Sequence, residues 1–375
     1  MTETIVVILA ALTAVWFIGA RALRGPDLRR FDAPNEGHAT TANEQRFSTG
    51  DAANAEHMAI TTALAEMQNT AKRIPLARRL AWLRHYMDTL FASHPFEARF
   101  VATDAGGVPA EWVLAPGADG GRRTLYIHGG AFVAGSRASH RVITARFSEI
   151  TGGAVLAIDY RLLPEHSRMA GIEDCRSAYR WMLVHGPDGA QPPSAVFVAG
   201  DSAGGNLTLS LIAWVRDQGL RAPDAAVALS PATDTTFGSP SLRANVATDT
   251  MLGPLLKPLT RIPRSALLWT AWFQNRKKPN DPIVSPVFGD LSNLPPVLVH
   301  ASAVEMLVDD SRRYVNKAVA AGSPVRLQTW NHMVHVWHIF DPGLTESRQA
   351  FEEIRKFIAE VAPPERSVAA EATLL

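Results

Sequence analysis

The stretch from Val196 to Gly205, VFVAGDSAGG, joins a short apolar run of strand type to an apolar helical run, Asn206 to Val215. Between them Gly200-Asp201-Ser202-Ala203-Gly204 makes a G-x-S-x-G. On a strand–turn–helix this pattern is a nucleophile elbow: the serine sits on a strained turn, and small neighbours let strand and helix pass closely. Ser202 would project from the sheet edge at a helix start, where free N–H groups favour developing negative charge. A plain βα turn with a capping serine would read the same way from this stretch alone. The rest of the chemistry has to be sought elsewhere in the chain.

A serine attacking an ester carbonyl creates an oxyanion that needs preorganised N–H donors. Tyr126 to Phe132, YIHGGAF, directly follows a strand-type run, and its two glycines allow N–H groups to turn inward. Gly129 and Gly130 are the expected donors, with the N–H of Ala203 as the third. His128 is expected to brace this loop rather than to move a proton. In this arrangement the acid and then the base follow the serine. After PVLVHASAV come Glu305, Asp309 and Asp310. Glu305 is nearest the strand end and is the expected acid, with Asp309 the alternative; both aspartates would also suit a helix cap over Ser311 to Ala321. His332, His335 and His338 all qualify as base by position. Their spacing resembles a metal cluster, but no carboxylate or cysteine accompanies them there, so neither metal nor cofactor is expected. His335 is the expected base: it takes the Ser202 proton and returns it to the leaving alcohol, while the carboxylate fixes its tautomer.

A chain of 375 residues fits one large α/β domain with an insertion, or two domains. With 47% hydrophobic and 19% charged residues it can bury a substantial core. A net charge of +1 gives no reason to expect a nucleic-acid partner. The single cysteine, Cys175, excludes an intramolecular disulfide, which fits a reducing compartment.

The elements that must position these residues read as follows. Residues 5 to 20 are continuously apolar and, with Ala22 and Leu23, approach the lower length for a membrane span. Arg21, Arg24, Arg29 and Arg30 follow and Glu3 precedes, which places the bulk of the chain on the cytoplasmic side. Residues 1–24 are therefore expected as an uncleaved anchor, with membrane association through residues 5–23. The alternatives are a signal peptide cut near Ala20, with a secreted or periplasmic product, and a helix packed on the rest of the chain. Residues 25 to 56 read as a linker. Helices are expected over 53–72 and 75–91, the second packing Leu76, Leu80, Leu83, Met87 and Leu90 on a core or over a site. A hairpin (98–103 and 110–115) and strands at 124–128, 154–160, 196–199, 225–229, 296–301 and 325–329 follow, with helices over 172–184 and 346–361. This alternation predicts a mostly parallel central sheet with helices on both faces, chemistry lying at the carboxyl ends of strands. Residues 231–278 break the rhythm as an excursion near the site. The tail from Pro363 is expected to be disordered.

HGGAF at 128–132, DYRLLPEH at 159–166, GDSAGGN at 200–206, EMLVDD at 305–310 and NHMVHVW at 331–337 occur in this order. On these pieces the chain resembles the hormone-sensitive-lipase-like family of α/β-hydrolases, the bacterial family IV esterases, over about residues 75–360. The resemblance implies an α/β-hydrolase fold with a catalytic domain over 101–362. It also implies a helical cap built from residues 25–100 and the excursion. It further implies a serine carboxylesterase acting on short- to medium-chain acyl esters through Ser202, Glu305 and His335, an ion-pair network of Arg161, Glu165 and Asp174, and a homodimer through an edge strand. Three departures stand out: Ala131 replaces a third glycine, Glu305 stands where aspartate is more usual, and HSRMAG replaces a proline-rich run. Two other readings are a membrane-associated lipase or arylacetamide-deacetylase-like hydrolase, with Trp269, Trp272 and Phe132 lining its acyl pocket, and a non-catalytic small-molecule-binding protein. Plant gibberellin receptors exemplify the last; they lack the histidine that His335 supplies here.

Overall fold

The computed structural model describes residues 2–33, 44–47 and 54–363. The expected tail (364–375) and parts of the expected linker (34–43, 48–53) lie outside the described residues. Helix α1 spans Thr2–Arg24, strand β1 Glu44–Phe47, α2 Ala55–Arg73 and α3 Leu76–Thr89. The hairpin of β2 (Arg99–Asp104) and β3 (Pro109–Leu114) leads into β4 (Asp119–Ile127), α4 (Arg141–Thr151), β5 (Gly153–Ile158) and α5 (Arg168–Met182). Then come β6 (Ala195–Asp201), α6 (Ala203–Asp217) and β7 (Ala225–Leu229). The excursion folds into α7 (Ser241–Ala244), α8 (Gly253–Thr260) and α9 (Arg264–Asn275). Strand β8 (Val297–Ser302), α10 (Val308–Ala320), β9 (Val325–Trp330) and α11 (Thr345–Val361) follow.

These nine strands form the central sheet in the order β1-β9-β8-β7-β6-β4-β5-β3-β2. Only β3 runs against its neighbours β2 and β5; the other adjacent pairs are parallel. The expected mostly parallel sheet is thus observed. Strands β5 and β7 are apolar and buried at every position, and β6 is so up to Gly200, because both faces are covered. On β6, Val196 and Val198 pack with Leu207 and Ile212 of α6. Phe197 and Ala199 point the other way, toward Phe147 of α4 and Phe351 of α11.

Two expectations about the amino-terminal third need correction. The apolar stripe of α3 does not enter the core: no residue of α3 is buried, and Leu76 is 79% exposed. The helix lies on the surface, tied down by the polar contacts of Arg84. The expected linker is also partly structural. Leu28 and Phe31 are buried in the main core, and β1 adds an edge strand to β9, with Phe47 stacked on Trp330 at 4.4 Å.

Among the described residues no helix is long and apolar enough to cross a membrane. The spanning anchor expected over residues 5–23 is not supported. Instead, the end of α1 packs on α9, burying Ala20 and Leu23 against Leu268. From Thr4 to Ile18 its described side chains are exposed.

Candidate active site

Strand β6 ends at Asp201, and α6 begins at Ala203. Ser202 between them has φ 52° and ψ −113°, a strained backbone for a side chain to occupy. The turn exists only because its flanks are glycine. A Cβ on Gly204 would lie 1.9 Å from the carbonyl oxygen of Ile127, and one on Gly200 2.6 Å from that of Gly204.

The Ser202 hydroxyl lies 2.9 Å from Nε2 of His335, and Nδ1 of His335 lies 2.9 Å from a carboxylate oxygen of Glu305. His335 follows β9, and Glu305 follows β8, so three strand ends converge. Glu305 and His335 are buried. Burial pushes the Glu305 carboxyl up, against the pull of His335. Burial also opposes a charged His335, but the facing carboxylate outweighs it and raises the imidazole above its ordinary 6.5. A buried carboxylate that holds Nδ1–H leaves Nε2 free to accept the serine proton.

Asp309, the alternative acid, faces elsewhere. It accepts the N–H of Ser241 at 2.8 Å and pairs with Arg312 at 3.1 Å. Asp310 accepts N–H groups of Thr233 and Asp234. Both aspartates therefore tie the start of α10 to the loop after β7. His332 and His338 diverge from His335: His338 is buried against His300 at 3.0 Å, and burial drives it well below its ordinary value. His332 sits in the turn with φ 61°.

The oxyanion loop requires a correction. The N–H of Gly129 is committed to the Asp201 carboxylate at 3.0 Å, so it is not free for a substrate oxygen. Asp201 is buried and also accepts the Tyr126 hydroxyl at 2.7 Å, with His140 at 3.4 Å. The backbone turns over at Gly130 (φ 110°) and Ala131 (φ 55°), whose N–H groups take no acceptor among the described residues. His128 braces the loop: its Nδ1 lies 2.7 Å from the Gly129 carbonyl, its ring stacks on Tyr160 at 4.4 Å, and burial lowers it to about 3.

Several supports went unseen in the sequence. Arg84 of α3 donates to the Val133 carbonyl beside the loop at 2.7 Å, to that of Leu163, and to both oxygens of Glu165. The expected network is accordingly split: Arg161 pairs with Asp174 at 2.7 Å, while Glu165 belongs to Arg84. Arg168, within the departing HSRMAG run, is buried, donates to Asn206 at 2.6 Å and lies over the Phe132 ring. Asp249 accepts the N–H of Met306 and so fixes the residue after Glu305. Asn245 donates to the carbonyl of Glu305. These contacts cross between segments far apart in sequence, and no local pattern marks them. Trp269 and Trp272 pack with α1 rather than beside Ser202. A small apolar cavity of ≈ 50 Å³ does open next to the acid loop, lined by Phe237, Leu242, Leu256, Leu259, Leu267 and Met306 among others.

A mostly parallel sheet, a strained serine at a strand end and a histidine–carboxylate pair beyond later strands define a hydrolase of the α/β-hydrolase class. Residues 124–339 match the family model described as alpha/beta hydrolase fold. An acetyl-hydrolase of Streptomyces hygroscopicus is 38% identical over 253 residues, 68% of this chain and 80% of that protein. The carboxylesterase/phospholipase LipF of Mycobacterium tuberculosis is 33% identical over 66% of each chain. The crystal structure of an esterase from the bacterial hormone-sensitive lipase family aligns with TM-score 0.71 and 33% identity, covering 83% of this chain and 99% of that one. EstE5, in a crystal soaked with p-nitrophenyl butyrate, aligns with TM-score 0.68 and 35% identity over 82% of this chain and 99% of that one. The chain belongs to the hormone-sensitive-lipase family of α/β-hydrolases and is a carboxylic ester hydrolase.

Proposed function

We propose that this esterase hydrolyses short- to medium-chain acyl esters with Ser202 as nucleophile, His335 as base and Glu305 as the acid that orients it. The observation that carries the reading is the unbroken hydrogen-bonded chain from Ser202 through His335 to buried Glu305. His335 removes the hydroxyl proton as Ser202 Oγ attacks the acyl carbon. The tetrahedral oxyanion is held by the N–H groups of Gly130, Ala131 and Ala203. The C–O bond to the alcohol breaks as His335 returns the proton to it, leaving an acyl-enzyme. Water activated by His335 then releases the acid.

The catalytic unit is proposed to span 101–362, capped by α2, α3 and the excursion helices. A short chain is favoured by the likeness to EstE5, whose crystal was soaked with p-nitrophenyl butyrate. The exposed apolar side chains of α1 favour a second reading, a lipase working on lipid-derived esters. A homodimer, if formed through a sheet edge, would use β1 or β2.

The test is hydrolysis of p-nitrophenyl esters from acetyl to palmitoyl by the full chain beside its Ser202→Ala variant. Serine-dependent turnover that peaks at short or medium acyl groups is expected. A peak at long chains would turn the reading to a lipase, and equal rates in both proteins would remove Ser202 from the mechanism.

A further inference from the structure

A cavity of ≈ 700 Å³ opens between the end of α1 and the cap. Arg21 and Arg24 line it from the last turn of α1 and Arg264 from the first turn of α9. Arg29 and Arg313 also reach it, facing Asp27 and Asp234. Arg29 holds Asp27 at 2.6 Å, and Arg313 lies 3.8 Å from Asp234. Arg264 donates to the carbonyl and hydroxyl of Thr236. Arg21, Arg24 and Arg264 take no carboxylate partner among the described residues, and the five guanidinium groups exceed Asp27, Asp234 and the Asp32 that holds Arg313 at 2.5 Å by two positive charges at one place.

The same end of the molecule is apolar. Every described side chain of α1 from Thr4 to Ile18 is exposed. Leu9, Leu12, Val15 and Phe17 are each more than half exposed. Leu255 of α8 and Phe273 of α9 continue this character onto the cap. Monomeric proteins in water rarely leave so much contiguous apolar surface uncovered. The indole of Trp269 meets Trp16 at 5.6 Å and donates to its carbonyl, so aromatic rings sit between the apolar helix and the arginines. That sequence of apolar, aromatic and basic groups matches the layering of a bilayer from acyl chains through interface to phosphates. Because α1 is docked on α9 from Trp16 onward, its free apolar part, Ile5 to Val15, is only ~16 Å long. That reaches into one leaflet of a ~30 Å hydrocarbon core and does not cross it.

We propose that this end docks on an anionic lipid bilayer. Helix α1 enters one leaflet, Trp16 and Trp269 lie at headgroup level, and Arg21, Arg24 and Arg264 hold lipid phosphates in the cavity between α1 and the cap. Guanidinium forks suit phosphate oxygens, which pair with them bidentately.

The experiment is sedimentation of the full chain with vesicles of phosphatidylcholine, with and without phosphatidylglycerol, at low salt. The wild type is expected to sediment with the anionic vesicles and much less with the neutral ones. The double variant Arg21→Glu/Arg24→Glu should lose about tenfold or more of anionic-vesicle binding. Leu9→Glu/Leu12→Glu should lose binding to both. All four positions are exposed, so the fold should not suffer. Turnover of a water-soluble p-nitrophenyl ester, measured on the same preparations, should be unchanged, which separates a failure of docking from a failure of the esterase reading. A wild type that stays in the supernatant overturns the proposal, as does undiminished binding by Arg21→Glu/Arg24→Glu. A dimer that ignores vesicles and dissociates on Leu9→Glu/Leu12→Glu would assign the apolar face to a second copy of the chain and overturn it equally.

Discussion

At the scale of single residues, the proposed mechanism makes the carboxylate behind His335 decide both rate and pH response. In that mechanism His335 can accept the serine proton only when neutral. Its pKa is raised above 6.5 by Glu305, in spite of burial, so turnover should fall as pH drops through a value above 6.5. Glu305→Gln removes the charge that raises it. The acid limb of the kcat/KM profile should then move to lower pH while kcat falls by roughly 10² or more, because the imidazolium formed in the transition state loses its partner. Asp309→Asn should leave the limb in place, since Asp309 faces Ser241 and Arg312; a shift with Asp309 and not with Glu305 would reassign the acid. That Ser202, His335 and Glu305 would meet was legible because each sits within a local motif whose place after a strand can be read from a few neighbours. Which N–H groups of the 128–132 loop stay free was not. Which glycine N–H stays free depends on where the Asp201 carboxylate points, and Asp201 lies far along the chain from Gly129.

At the scale of elements, the sheet was legible and its attachments were not. Strands buried on both faces announce themselves as apolar runs, and the parallel order follows from the helices between them. The role of α3 was misread because its leucines suggested a buried stripe, whereas its fixing contact is the polar Arg84. That guanidinium joins the helix to Val133, Leu163 and Glu165 through four hydrogen bonds. Val133 closes the turn whose Gly130 and Ala131 N–H groups are proposed to hold the oxyanion. Arg84→Met should therefore lower kcat by about tenfold with a smaller change in KM, since slight misplacement of donors weakens the transition state more than ground-state binding. Arg84→Lys should restore little, because an ammonium cannot reproduce a planar fork spanning three acceptors. Equal loss in KM and kcat, or rescue by lysine, would reduce Arg84 to a surface charge.

At the scale of the whole molecule, the boundary of the folded unit lies earlier than composition suggests. Residues 25 to 33 carry few signals of regular structure, yet Leu28 and Phe31 enter the main core. Asp32 pairs with Arg313 at 2.5 Å, and Asn316 donates to the carbonyls of Phe31 and Ala33. Such burial is set by the groove beside α10, which no local pattern displays. Two truncations separate the roles of this region. Every described side chain among residues 4–15 is exposed, so a chain lacking residues 1–15 should match the full chain in thermal midpoint and in turnover of a soluble ester. A chain lacking residues 1–33 gives up four buried apolar side chains, Ala20, Leu23, Leu28 and Phe31, the three larger ones each worth about 1.5–3 kcal/mol, and leaves Arg313 without its nearest carboxylate. Its midpoint should fall by at least about 5 °C. The same midpoint in both truncations would mean that the segment before Ala33 merely rests on the catalytic unit. A drop already on removal of residues 1–15 would mean that the exposed part of α1 supports the fold, and the free helix offered to a lipid surface would have to be withdrawn.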